Sequence, residues 1–260
     1  MRSRALRKLK ISILRASKMR LGVFLVKKVN KKKLLYNLHY PNDLRDLNRK
    51  LLPGDVILVD GDYGVSDWIK VYSSHTWSHC ALFVGDQSRL AATKPAAVVE
   101  EQPCLVEAIM GRGIILGGLK KYEGCNLRVC RPRNLTRIPR ESVIRWALGK
   151  VGLPYDLENV LEFVSLPFLE PVSPTQDIGR CEGDKYTCSS LLAAAFGQAG
   201  LEVLHYYDPQ FKKTIPYHHS QIQPKDFDLS MNFDIIKVRP VTCRKPGGFF
   251  RSLFIRPKTA

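Results

Sequence analysis

Ser78-His79-Cys80-Ala81-Leu82-Phe83-Val84-Gly85 places a histidine at the head of five apolar residues and closes on a glycine. So short an apolar run, stopped by glycine, reads as a strand buried in a sheet rather than as a helix. A histidine in such a strand needs a polar partner, because an unpaired buried imidazole is costly. Candidates for that partner lie further along the chain, and they decide what this strand is for.

Before it, Leu51-Leu52-Pro53-Gly54-Asp55 is a turn opening onto a continuous apolar run at 56–59, again suited to a buried strand. A helical segment is expected over 66–72. Beyond the histidine strand, 105–109 and 113–116 read as two strands broken by Met110-Gly111-Arg112, and 126–131 as another, stopped by Pro132. Helical pattern returns at 139–148, with Pro139 near the first turn and Glu141 early, and ends by 149–152. The stretch 157–163 precedes a loop carrying Pro167, Pro171 and Pro174. The clearest helix is 188–198, rich in Leu and Ala and closed by Gly200; a last strand is expected at 233–238. There is no internal repeat. Strands first, helices to either side and one closing strand indicate the α+β class.

Cys188 begins that clearest helix. A helix N-terminus offers unpaired N–H groups and about half a positive charge, which lower a thiol pKa and can hold an oxyanion. A nucleophilic cysteine needs a base, and the base needs an orienting partner. His79 is the candidate base. Glu107, set inside Leu105-Val106-Glu107-Ala108-Ile109, is the candidate for fixing its tautomer. Tyr186, Tyr155 and Ser78 are the candidate substrate-binding residues. Cys80 follows His79, so strand alternation turns it to the opposite face and a structural role is expected. His218-His219 lacks a Cys, Asp or Glu at metal-ligand spacing and reads as a solvated loop. No metal and no other cofactor is called for.

The chain has 260 residues, 41 Lys+Arg, 24 Asp+Glu and a net charge of +17. Residues 1–36 hold thirteen of the cations and no acid, leaving 28 against 24 in the rest. The expected organisation is therefore a basic extension over 1–45, a nearly neutral catalytic body over 46–240 and a basic tail over 241–260. Leu6, Leu9, Ile13 and Ala16 fall near one helical face in the extension, the pattern of a helix drawn to an anionic membrane surface through residues 1–36. The alternative is a solvated arm. Nucleic acid is not the expected partner, since no aromatic interleaves the cations before Phe24. Composition excludes a disordered or collagen-like chain. No stretch approaches the ~20 apolar residues of a membrane span, and 21–26 is too short for a secretory signal core. Seven cysteines without a C-x-x-C pair argue against a zinc knuckle and a complete disulfide framework. A cytoplasmic location is the default expectation, with peripheral membrane association or signal-independent export left open.

Several stretches, in their order, resemble the circularly permuted NlpC-like cysteine hydrolases of the YiiX/YebB type, which have a papain-like fold. They are Leu52-Pro53-Gly54-Asp55-Val56-Ile57, the His79 strand, Val106-Glu107-Ala108 followed by Gly113, Gly152-Leu153-Pro154-Tyr155-Asp156, Tyr186-Thr187-Cys188-Ser189-Ser190 and Lys225-Asp226-Phe227. The resemblance covers roughly 50–240. It implies an antiparallel sheet or small barrel packed on helices that include the nucleophile helix. It also implies a Cys188-His79-Glu107 triad that cleaves an amide bond in a peptide or peptidoglycan-like substrate through a thioester. Two departures stand out: Ser190 occupies a position where glutamate is common, and residues 158–185 form an insert of this chain's own. Lipid acyl transfer, as in lecithin-retinol-acyltransferase-like relatives, and a non-catalytic binding module are the alternative readings.

Overall fold

A computed structural model of the chain describes residues 42–61, 75–86, 104–160 and 184–240. The expected helix at 66–72, the basic tail, all but the last residues of the basic extension and most of the 158–185 insert lie outside the described residues.

The sheet forms around its most apolar segment. Strand β1 (Val56–Asp60) is buried almost throughout, and Ile57, Leu58 and Val59 are at most 2% exposed. A strand covered on both faces needs no polar alternation, which is why 56–59 is a continuous apolar run. It is flanked by β2 (His79–Phe83) and β5 (Asn126–Pro132), and the sheet continues with β3 (Leu105–Ile109), β4 (Gly113–Gly117) and β8 (Phe233–Ile236) in the order β4-β3-β2-β1-β5-β8. Every pairing is antiparallel. Two short strands, β6 (His205–Asp208) and β7 (Lys213–Pro216), make a separate hairpin.

Alternation sorts the strand side chains into two cores. Val56, Leu58, Cys80, Leu82, Val106 and Ala108 pack with helices α2 (Arg137–Gly149) and α3 (Cys188–Gly197). Ile57, Val59, Ala81, Phe83 and Leu105 pack on the other face with Leu47 of helix α1 (Leu44–Lys50), joined by Leu119 and Tyr122 from the 3-10 turn Leu119–Tyr122. Helix α3 is embedded, with only Ala194 and Gly197 outside the buried set. Its hydrophobicity on all sides reflects that position, and each fully buried Leu or Phe contributes about 1.5–3 kcal/mol. Helix α4 (Pro224–Leu229) carries Phe227 beneath Phe196 and Phe233.

Residues just before position 46 join the same fold. Asn42 accepts a hydrogen bond from Leu127 N–H, Asp43 N–H donates to the Arg239 carbonyl, and Asp43 caps α1. Among the described residues, no helix is long and apolar enough to cross a membrane.

Candidate active site

Thr187 caps α3: its hydroxyl accepts from Ser190 N–H at 3.2 Å, while Ser190 Oγ accepts from Thr187 N–H at 2.8 Å. This is a capping box closed by serine at the position more often held by Glu or Gln. Ser190 thus leaves the helix start satisfied within a buried pair. Ser189 Oγ donates to the Ile222 carbonyl at 2.6 Å, tying α3 to the turn His219–Gln221. Cys188 is held between these two anchors as the first residue of the helix and is 7% exposed.

The structure brings Cys188, His79 and Glu107 together. His79, the first residue of β2, lies opposite Val59 and has a side chain 20% exposed. Its Nε2 is 3.0 Å from Glu107 Oε2, and the ring is also hydrogen-bonded to Cys188. With Nε2 committed to the carboxylate, Nδ1 is the nitrogen left for the sulfur. Glu107 is fully buried. Lys121 Nζ donates to its Oε1, and Tyr122 Oη donates to Oε2 at 2.5 Å.

The protonation states follow from this packing. Burial of Glu107 opposes its charge, but the hydrogen bond from His79, the charges of His79 and Lys121 and the Lys121 hydrogen bond hold its pKa down at about 2. Burial of His79 favours the neutral ring, yet its bonds to Cys188 and Glu107 raise its pKa to about 9. Cys188 is lowered well below the ordinary thiol value, first by a hydrogen bond from Cys80 and then, against the effect of burial, by His79. At neutral pH the pair is therefore thiolate and imidazolium.

Cys80 corrects the reading of its sequence. It does face away from the inward row of Ala81 and Phe83, but that face is the one covered by α3. Its thiol and its backbone N–H both bond to Cys188, and burial together with the nearby Cys188 charge pushes its own pKa well up. Alternation gives the face correctly; only the packing of α3 reveals what lies across from it.

Tyr155 and Tyr186 form an isolated parallel bridge, and Asp156 N–H donates to the Tyr186 carbonyl at 3.0 Å. The loop carrying Tyr155 is fastened to β4, with Ile114 N–H on the Leu153 carbonyl and Gly152 N–H on the Ile114 carbonyl, both at 2.8 Å. Gly113 makes that approach feasible: it has φ +80, and a Cβ there would strike the Leu153 carbonyl. Burial, followed by the Cys188 charge, raises the Tyr155 pKa, so its phenol stays neutral beside the sulfur. Tyr186 is edge-on to Trp146 at 5.7 Å and lies 6.2 Å from the His219 ring. His219 is thus packed rather than a freely solvated loop residue, and burial with the neighbouring His218 charge lowers its pKa to about 4. Ser78 serves the backbone: its hydroxyl accepts from Gly61 N–H at 3.0 Å and donates to the Val59 carbonyl at 3.4 Å.

Lys121 and Tyr122 were not singled out in the sequence. Among the described residues, no group of three His, Cys, Asp or Glu side chains is placed to hold a metal ion.

No protein-family description matches the sequence, and no curated protein is similar to it. Among solved structures, the chain is similar to the crystal structure of metalloprotein YiiX from Escherichia coli O157:H7. The identity is 16% and the TM-score 0.45, over 72% of this chain and 97% of that one.

Proposed function

We propose that this chain is a cysteine hydrolase of the permuted papain-like, NlpC-type architecture, cleaving an amide bond in a peptide or peptidoglycan-like substrate. The observation that carries the reading is the continuous contact from Cys188 through His79 to a fully buried Glu107. A buried carboxylate, an imidazole and a thiol in series, with the thiol on a helix N-terminus, is costly to maintain and matches the needs of covalent acyl transfer.

In that mechanism the Cys188 thiolate attacks the carbonyl carbon, and the carbonyl electrons move onto oxygen. First-turn N–H groups of α3 stabilise the oxyanion. The tetrahedral intermediate collapses, the C–N bond breaks, and the His79 imidazolium passes its proton to the leaving amine. Neutral His79 then takes a proton from water, hydroxide attacks the thioester, and the carboxylic acid leaves as the thiolate–imidazolium pair reforms. Glu107 holds the ring orientation and stabilises its positive form. Tyr155 and Tyr186 flank the attacked group.

A lipid acyl group is the second substrate reading. The β6–β7 hairpin favours it by exposing Tyr207 and Phe211 to 63% and 62% beside Lys212 and Lys213, a combination suited to an anionic lipid–water interface.

The test is iodoacetamide labelling at pH 7 with peptide mapping, followed by turnover of peptidoglycan fragments and phospholipids by wild type and Cys188→Ala. Labelling of Cys188 well ahead of Cys104, with turnover lost in Cys188→Ala, is expected. Equal labelling of the two cysteines removes the activated thiolate and the proposal with it.

A further inference from the structure

In the hydrolase mechanism Cys80 does no more than donate a hydrogen bond to the nucleophile. Cys80 projects from the second residue of β2 into the core that α3 covers, and Cys188 occupies the first residue of α3. Both the thiol and the backbone N–H of Cys80 bond to the Cys188 sulfur. The two side chains belong to different elements that pack directly together, so a bond between them requires no unfolding of either. Neither cysteine is in a disulfide. Hydrolysis asks of position 80 only a hydrogen bond to the sulfur, a role that does not require a second thiol. A second thiol here supplies something else, a reaction partner for an oxidised nucleophile.

We propose that Cys80 and Cys188 form a peroxide-responsive site, in which Cys188 is oxidised by a small hydroperoxide and Cys80 captures it as a reversible intramolecular disulfide. The proposal rests on the activated Cys188 of the preceding section. In the first step the Cys188 thiolate attacks the distal oxygen of the peroxide. The O–O bond breaks, and the departing oxygen takes the proton from His79 to leave as water or an alcohol. Cys188 is now a sulfenic acid: the sulfur is oxidised and the peroxide reduced. In the second step neutral His79 accepts the Cys80 proton, and the Cys80 sulfur attacks the Cys188 sulfur. The S–O bond breaks, and hydroxide recovers that proton to leave as a second water. A dithiol returns the enzyme to its starting state by exchange. The disulfide protects the nucleophile from the irreversible sulfinic and sulfonic states while it is switched off.

Sequence makes the test direct, because trypsin places Cys80 alone in peptide 71–89 and Cys188 alone in peptide 186–212. Full-length reduced protein, freed of reductant, is titrated with hydrogen peroxide and mapped without reduction. The expected product joins these two peptides with loss of two hydrogen atoms, while iodoacetamide labelling of Cys188 falls in step and returns with dithiothreitol. In Cys80→Ala, Cys188 should instead gain two oxygen atoms, and dithiothreitol should not restore its labelling. Pairing of Cys188 with another cysteine, or direct sulfinic acid formation in wild type at the Cys80→Ala rate, overturns the proposal. The wild-type map decides the matter even if Cys80→Ala does not fold. Labelling before peroxide addition reads the other idea separately: if Cys188 is no faster than Cys104 there, the hydrolase reading fails whatever the peptide map shows.

Discussion

Glu107→Gln is the substitution that most directly measures the site's electrostatics. Glu107 is fully buried and its carboxylate meets His79, Lys121 and Tyr122. Those partners take its pKa from an ordinary 4.5 to about 2. Each pKa unit is about 1.4 kcal/mol, so the ionised form contributes about 3 kcal/mol to folding near neutral pH. A depressed carboxylate contributes above its unfolded value and loses that contribution as pH falls through its folded one. Glutamine cannot titrate. The stability gap between wild type and Glu107→Gln should therefore be about 3 kcal/mol at pH 6 and shrink to about 1 kcal/mol at pH 3. Urea unfolding at pH 6, 4 and 3, under reducing conditions with the slope fitted at each pH, reads this difference while other carboxylates cancel. Iodoacetamide labelling of Cys188 at pH 8 should slow in parallel, because His79 loses the charge that keeps its proton. A gap that stays constant from pH 6 to pH 3 would refute the reasoning, since it would mean that Glu107 is not the ionised partner of this network.

Further outcomes follow from the same geometry. In Gly117→Ala, the added Cβ falls on Glu107 Oε1 and Lys121 Nζ; overpacking of this kind costs about 1–3 kcal/mol and should also slow Cys188 labelling, which thermal unfolding and peptide mapping would check. Cys188 sits well below the ordinary thiol value of 9.0 and His79 near 9, so the Cys188 alkylation rate should be nearly flat from pH 8 to pH 6. N-acetylcysteine run alongside should fall about tenfold per pH unit, and an equal fall for Cys188 would exclude the ion pair. Phe196→Ala opens the contact with Phe233, edge-on at 5.2 Å, and with Phe227 at 6.3 Å; it should cost about 3–5 kcal/mol by urea unfolding, and a loss below about 1 kcal/mol would mean that these rings do not close the core.

Strands β1, β2 and β4 were legible because burial on two faces writes itself as nearly uninterrupted apolar sequence. Segment 105–109 matches β3 at both ends, and 56–59 and 113–116 each fall one residue short of the observed strands. The hairpin β6–β7 was not legible. His205-Tyr206-Tyr207-Asp208 is half exposed and pairs only with its neighbour, so no core imposes a pattern on it. Helix α1 escaped for a related reason, being short and presenting mainly Leu47 to the sheet. At the site, Glu107 was conspicuous as a carboxylate inside an apolar strand. Lys121 and Tyr122 were not, because a lysine and a tyrosine in a 3-10 turn look like surface until the turn is seen folded onto β3.

The order of contacts explains why such a buried cluster can persist at all. From Lys121 through Glu107 and His79 to Cys188 the charges run positive, negative, positive, negative, so the cluster is neutral while every neighbour attracts. Burying an isolated charge is prohibitive, whereas an alternating set with saturated hydrogen bonds is tolerable. Two uncharged donors, Tyr122 and Cys80, complete it. Neutral Tyr122 donates to the carboxylate, and neutral Cys80 donates to the thiolate. Each anion thus receives an uncharged donor in addition to its cation, and neither donor changes the charge count. Removing Lys121 alone should therefore reach the sulfur three contacts away: Glu107 gains affinity for a proton, His79 loses the negative charge that holds its own, and Cys188 reverts toward a thiol. Lys121→Met should raise the pH below which Cys188 alkylation falls, and Lys121→Arg should restore much of the wild-type profile. An unchanged alkylation profile in Lys121→Met would confine the lysine to packing.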